Sequence, residues 1–171
     1  MYPSVDYTRG TLLELFARMQ FPERTHRESA LIRDFLTRHI HEYDNYQFSV
    51  RVGQGLTPDP SHLPGVQDNT RHSTKKRIDI VAWNGEQATI FEVKFRANPA
   101  AIGQLATYRH LWMEEHPNAR EPELAVIARY TDPDTQRVYD AAGITLYLYE
   151  APDDGGGDAS GGVPADDAAP A

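Results

Sequence analysis

Two apolar runs, RIDIVAW (Arg77 to Trp83) and ATIFEVKF (Ala88 to Phe95), each carry an acid where a buried strand ordinarily has Val or Ile: Asp79 in the first and Glu92 in the second. Side chains alternate across a strand. That puts Asp79 on one face with Arg77 and Val81, and Ile78 with Ile80 on the other. In the second run Ile90, Glu92 and Lys94 share a face opposite Phe91, Val93 and Phe95. The intervening NGEQ holds an Asn-Gly step, a strong hairpin signal, which predicts adjacent antiparallel strands; if their register puts Asp79 near Glu92, the two carboxylates converge on one point. Two like charges that close are costly unless a cation lies between them. Carboxylate oxygens of this kind suit Mg²⁺ or Mn²⁺, which complete their shell with water and phosphate. Lys94 falls roughly 6.6 Å beyond Glu92 on the same side, placed to stabilise an attacking hydroxide or charge developing on a phosphate.

Two helices are needed to position further polar groups. FPERTHRESALIRDFLTRHIHEY predicts an amphipathic helix over about Glu23 to Glu42, with Leu31, Ile32, Phe35, Leu36 and Ile40 at three- and four-residue spacing. At 100° per residue Glu28 falls in the middle of that apolar stripe, where a carboxylate needs a partner. NPAAIGQLATYRHLWMEEH predicts a second helix from about Pro99, buried through Ile102, Leu105, Tyr108, Leu111 and Trp112. Gln104 and Tyr108, four residues apart, share a face of it. Tyr108 also reads as a core aromatic with its hydroxyl at the edge.

The remaining elements follow from local signals. A short opening helix is expected around Thr11 to Met19, and YQFSVRV (Tyr46 to Val52) alternates as a strand. Gly53 to Lys76 is rich in Gly, Pro, Asn and Asp and shows no periodicity, so a long loop is expected, of the kind that serves as a lid or substrate-binding excursion. ELAVIARY is apolar enough for a central strand. DPDTQRVYDAAG has Pro133 early and Gly143 at its end, a helix with its start and stop signals. ITLYLYE closes the domain near Glu150. The order α, β, β, β, α, β, α, β without repeats predicts an α/β sandwich around a mixed sheet.

Composition narrows the classes. Without cysteine there is no disulfide framework, thiolate zinc site or cysteine nucleophile, which fits a reducing compartment, the cytoplasm by default. The N-terminus carries Asp6, Arg9, Glu14 and Arg18 through its apolar residues, unlike a signal peptide. No apolar run is long enough to cross a bilayer. The net charge is −8, but the stretch from Pro152 onward holds five Asp and no Lys or Arg, leaving about −3 on the rest. Residues 151–171 are expected to be a disordered acidic tail behind one domain over 1–150.

The ordered polar residues carry a resemblance. RIDIVAWNGEQATIFEVKF resembles the core motif of the PD-(D/E)XK nuclease superfamily, an Asp at the end of one strand and an acidic-X-Lys triplet in the next, here Asp79 and Glu92-Val93-Lys94. Glu28 matches the acid that the preceding helix supplies in many members. QLATY, Gln104 to Tyr108, is similar to the QxxxY element of the RecB-like and Cas4-like branch. Asp79 follows Ile78 where the name of the superfamily has Pro, and the upstream His of some QxxxY nucleases has no clear counterpart.

The resemblance spans about Glu23 to Ala128 and implies a restriction-endonuclease-like αβββαβ core. It also implies hydrolysis of DNA phosphodiesters with Mg²⁺ or Mn²⁺, in end processing, repair, recombination, phage or defence. Asp79, Glu92, the Val93 carbonyl and Glu28 would hold metal, Lys94 would position the nucleophile, and Gln104 and Tyr108 would orient Lys94 or the phosphate. Small nucleases of this fold are often homodimers. The basic cluster Arg71, Lys75, Lys76 and Arg77 before Asp79 would contact the DNA backbone, extended by Arg96 and Arg109. The alternative is a catalytically silent module of the same fold that binds nucleic acid or assembles into a larger nucleoprotein complex.

Overall fold

The computed structural model describes residues 5–8, 21 and 24–149. The expected opening helix at 11–19 and the acidic tail lie outside the described residues. Among the described residues, no helix is long and apolar enough to cross a membrane.

A six-stranded mixed sheet runs in chain order: β1 (Val5–Thr8), β2 (Asn45–Val52), β3 (Lys76–Asn84), β4 (Gln87–Arg96), β5 (Glu123–Tyr130) and β6 (Ile144–Leu148). The first four strands pair antiparallel, and β4–β5 and β5–β6 are parallel. Helix α1 (His26–His39) covers one face, and a 3-10 turn (Ile40–Glu42) leads from it toward β2. The other face carries α3 (Pro99–Glu115), which crosses between β4 and β5, and α4 (Pro133–Ala141), which crosses between β5 and β6. The segment α1–β2–β3–β4–α3–β5 is the αβββαβ order expected from the sequence.

Local chemistry explains the ends. Thr25 caps α1 with a reciprocal capping box, its hydroxyl accepting from the Glu28 N–H at 3.2 Å while Glu28 accepts from the Thr25 N–H at 3.0 Å. Asn98 and Asp132 cap α3 and α4, each followed by Pro, whose fixed φ suits a first helical position. In the β3–β4 hairpin Asn84 pairs with Gln87, so Gly85 and Glu86 form the turn, and Gly85 takes φ 57.

Two cores sandwich the sheet. Phe35 of α1 packs on Phe91, Tyr43 and Tyr147 among Leu31, Leu36 and Ile80. Under α3 lie Leu105, Tyr108 and Trp112 with Val81, Ile90 and Val126. Ile102 and Leu111, expected in the buried stripe, flank it half-buried, and Ala101 takes the inner position.

One expected face assignment is corrected. Ile80 belongs to the α1 core and Ile78 to the α3 core, although strict alternation puts them together. On β2, Tyr46 and Phe48 face α1 while Val50 and Val52 face α3. Between them Ser49 has φ 58, a left-handed conformation that costs a non-glycine residue about 1–2 kcal/mol. Phe48 pairs with Ile80 and Val50 with Ile78, so Ser49 and Asp79 stand opposite each other, unpaired in the ladder. Both strands turn over at this point without losing register.

A second correction concerns Gly53 to Lys76, read from sequence as irregular. It contains α2 (Pro64–Thr74), none of whose residues is buried. A helix that buries nothing has no apolar period to detect. A strap from Gly53 to Thr57 ties it down: the Leu56 N–H donates to Thr74 Oγ1 at 2.7 Å, and the Gly53 N–H to Glu115 at 2.7 Å. Gly55, at φ 73, lies so close to α2 that a Cβ would meet the Arg71 carbonyl oxygen at 2.1 Å. Gly55→Ala is therefore expected to accelerate amide exchange across residues 64–74 by at least about tenfold while leaving exchange in β4 and β5 unchanged.

Candidate active site

The sequence stacks three causes at one point. The β3–β4 ladder runs from Asn84–Gln87 to Ile80–Phe91 and stops. One further step of the same register would set Asp79 opposite Glu92. Instead the strands part, and the Val93 N–H donates to Asp79 Oδ2 at 2.8 Å where a strand carbonyl would otherwise accept. A residue's N–H and C=O leave the same edge of a strand, so the Val93 carbonyl faces the gap as well.

Asp79 and Glu92 are both buried, at 4% and 2% exposure. Each acid is ion-paired with a cation. Arg24, just before the α1 cap, reaches Asp79 Oδ1 at 2.6 Å, and Lys94 reaches Glu92 Oε1 at 2.5 Å. Glu92 Oε2 is buried and, among the described residues, has no partner at hydrogen-bond geometry, although the Tyr108 hydroxyl faces the Glu92 carboxylate. The electrostatics follow the burial. Desolvation and the neighbouring Asp79 charge push the Glu92 carboxyl up to about 7, against the pull of Lys94 and Arg24. Burial also pushes Asp79 upward, opposed by Arg24, the Val93 N–H, Lys94 and Arg77. Tyr108, on α3, is buried, and its hydroxyl is held protonated by desolvation and by the Glu92 and Asp79 charges it faces. Gln104 Nε2 lies 3.5 Å from that hydroxyl. A cleft of about 300 Å³ lined by Gln104, Tyr108, Gly103, Thr107, Ala100 and Lys76 opens beside them.

Asp79, Glu92, Val93, Lys94, Gln104 and Tyr108 are thus brought to one place. Glu28 is not joined to them by its contacts: it is half-buried, and its carboxylate accepts from the Thr25 N–H and hydroxyl, both at 3.0 Å. The buried α1 stripe passes instead through Ser29, Leu31, Ile32, Phe35 and Leu36. Among the described residues no three carboxylates or imidazoles form a metal-sized group. The sequence carried a signal for this placement, since Thr25-x-x-Glu28 is a capping-box pattern. Arg24, which sequence reasoning missed, announced itself only as a basic residue adjoining a cap.

Two carboxylates and a carbonyl fit one Mg²⁺ or Mn²⁺, which commonly takes one or two carboxylates. The orphaned Glu92 Oε2 is the oxygen such an ion would satisfy, and Asp79 would have to release Arg24.

The basic residues divide. Arg71 and Lys75 line a groove of about 510 Å³ with the 53–57 strap and Glu115. Lys76, Arg77 and Arg96 lie at the open end of the β3–β4 hairpin. Arg109 is elsewhere. It pairs with Glu121 at 3.0 Å, and the Glu121 carbonyl accepts from Gln87 at the turn end of the same hairpin. Arg109 therefore does not extend the patch around Arg96.

No family model matches the sequence, and no curated protein matches it. Among solved structures, a repair endonuclease from Pyrococcus abyssi aligns at 15% identity and TM-score 0.44, over 78% of this chain and 50% of that one. EndoMS in a complex with double-stranded DNA aligns at 14% identity and TM-score 0.43, over 79% and 50%. The chain spans about half the length of these structures.

Proposed function

We propose that this chain is a nuclease that hydrolyses DNA phosphodiester bonds with Mg²⁺ or Mn²⁺. The observation that carries this reading is the buried Asp79–Glu92 pair at the parting of β3 and β4, with one carboxylate oxygen unsatisfied and Lys94 beside it. A stable fold has little use for two adjacent buried acids unless something binds them.

Asp79, Glu92 and the Val93 carbonyl would hold the ion. When bound, it supplies Lewis-acid polarisation of phosphate oxygens and a lowered pKa for water. Lys94 orients the attacking oxygen and offsets negative charge on the phosphorus centre. Tyr108, kept protonated, donates a hydrogen bond toward the phosphate, and Gln104 fixes its hydroxyl. Glu28 holds the helix N-terminus from which Arg24 reaches Asp79. With Asp79 serving as a metal ligand, Arg24 would be available to pair with a phosphate oxygen. Arg71, Lys75, Lys76, Arg77 and Arg96 bind the strand beyond the cut.

One observation favours the second reading, a silent nucleic-acid-binding module: Arg24 and Lys94 already neutralise the two acids. The same protein preparation separates the readings. Cleavage of single-stranded, duplex and branched DNA is expected with Mg²⁺ or Mn²⁺, together with Mn²⁺ binding in a calorimetric titration. DNA binding with neither cleavage nor Mn²⁺ uptake identifies the module.

A further inference from the structure

The α1 side of the sheet carries a second feature next to the acids. Phe95 follows Lys94 on β4 and turns to the opposite face, where it forms one wall of a cleft of about 300 Å³ with Leu31, Ala30, His26, Arg27 and Arg129. The floor is apolar and the rim is cationic. The Arg27 guanidinium lies over the Phe95 ring at 4.8 Å. On the other side of Phe95 stands Tyr130, edge-on with centroids 5.4 Å apart, and Arg96 approaches its ring at 5.9 Å. Tyr130 is 42% exposed, although most large aromatic side chains here are buried. Among the described residues Asp34 lies 3.8 Å from Arg129 and Asp132 lies 3.8 Å from Arg96, both loose pairings at partly exposed positions.

Both walls of this cleft connect along the chain to residues that pair with the acids. Phe95 adjoins Lys94, and Arg27 is three residues from Arg24, whose side chain touches Asp79. The cleft opens on the α1 face whereas Lys94 shares the α3 face with Glu92, so a strand bound in it would reach the acids around the open end of the β3–β4 hairpin, where Arg24 of the same helix terminus meets Asp79. Flat apolar surface alternating with guanidinium groups suits a nucleobase, which stacks on aromatic rings and on Arg planes while the rim takes its phosphates. A base still paired inside a duplex cannot enter, because its faces are covered by its neighbours.

We infer that the cleft lined by Phe95, Leu31 and Arg27 binds an unpaired base of the strand whose phosphate the acids take, so that the substrate is a single strand or a strand end rather than intact duplex. This deepens the nuclease reading and rests on it.

The test is fluorescence anisotropy in EDTA, where nothing is cut, with a short single-stranded DNA and a blunt duplex of the same length. The wild type is expected to prefer the single strand by about tenfold. Phe95→Leu, which keeps apolar volume but loses the ring, and Arg27→Ala, at an exposed position, should each weaken single-strand binding by about tenfold and leave duplex binding within about twofold. Equal affinity of wild type and both variants for the single strand overturns the inference, as does a wild type without strand preference. Loss of a dimer in Phe95→Leu on sedimentation, with DNA binding intact, assigns the cleft to a second copy and also overturns it. Single-strand preference lost in both variants, from a protein that cuts no DNA with Mg²⁺, keeps the base cleft and removes the nuclease. Cleavage by a protein whose Phe95→Leu variant binds normally does the reverse.

Discussion

Asp79→Asn is expected to abolish DNA cleavage, by at least about 10³-fold in rate, and to destabilise the fold at the same time. The two effects have different origins. Catalysis loses a negatively charged oxygen ligand, whereas stability loses the partner of a guanidinium whose side chain is 7% exposed. Stranding a buried charge typically costs about 3–5 kcal/mol, offset here in part because the substitution also removes a buried carboxylate that desolvation disfavours and that repels Glu92. Adding Arg24→Gln to Asp79→Asn should therefore recover much of the lost stability and none of the activity, a coupling that urea denaturation of the single and double variants measures directly. Lys94→Ala separates chemistry from folding. The Lys94 side chain is about a quarter exposed but its partner Glu92 is buried, so its loss should leave the denaturation midpoint nearly unchanged at pH 5, where Glu92 is protonated, and lower it at pH 8, while lowering cleavage by about 10²–10³-fold. Cleavage by Lys94→Ala at the wild-type rate would sink the proposed mechanism.

The second large effect is on pH. The Glu92 carboxyl is raised from 4.5 to about 7 in the folded chain, and Asp79 is shifted the same way. A raised acid binds its proton more tightly when folded than when unfolded. It therefore stabilises the fold fully below the unfolded value, and that contribution is lost as pH rises through the folded value. For Glu92 the window is about pH 4.5 to 7, and the change reaches about 3 kcal/mol. In EDTA the melting temperature should fall by several degrees between pH 5 and pH 8. Glu92→Gln should flatten that slope. Mn²⁺ should reverse it, since an ion binding the deprotonated acids stabilises most where they are ionised, and calorimetry should record proton release on binding near pH 6.5. A melting temperature that climbs from pH 5 to pH 8 without metal would contradict the burial argument.

How much of this was legible beforehand differs from residue to residue. Asp79, Glu92 and Lys94 stood out because acids break an apolar alternation, a signal contained within a few residues. The hairpin was legible from Asn84-Gly85, whose turn chemistry is local. Helix α2 was hidden for a physical reason: periodicity records burial, and α2 buries nothing. The reversal at Ser49 and Asp79 was hidden because nothing in FSVRV requires a left-handed serine, and only packing on both faces selects it. Arg24 was missed because its meaning lies in a contact 55 residues downstream. Glu28 was misplaced by counting degrees around a helix that begins only at His26 and is capped by Thr25.

The exposed excursion between β2 and β3 has an evolutionary consequence. Because α2 contributes no buried side chain and its approach only Pro58, the rest of residues 56–74 can be rewritten with little effect on whether the chain folds, so long as Gly55 and Thr74 keep their anchorage. The acids sit on strands that tolerate almost no change, whereas the nearby surface that greets a ligand is cheap to alter. This surface can therefore change by single steps that leave the buried acids and their strands intact.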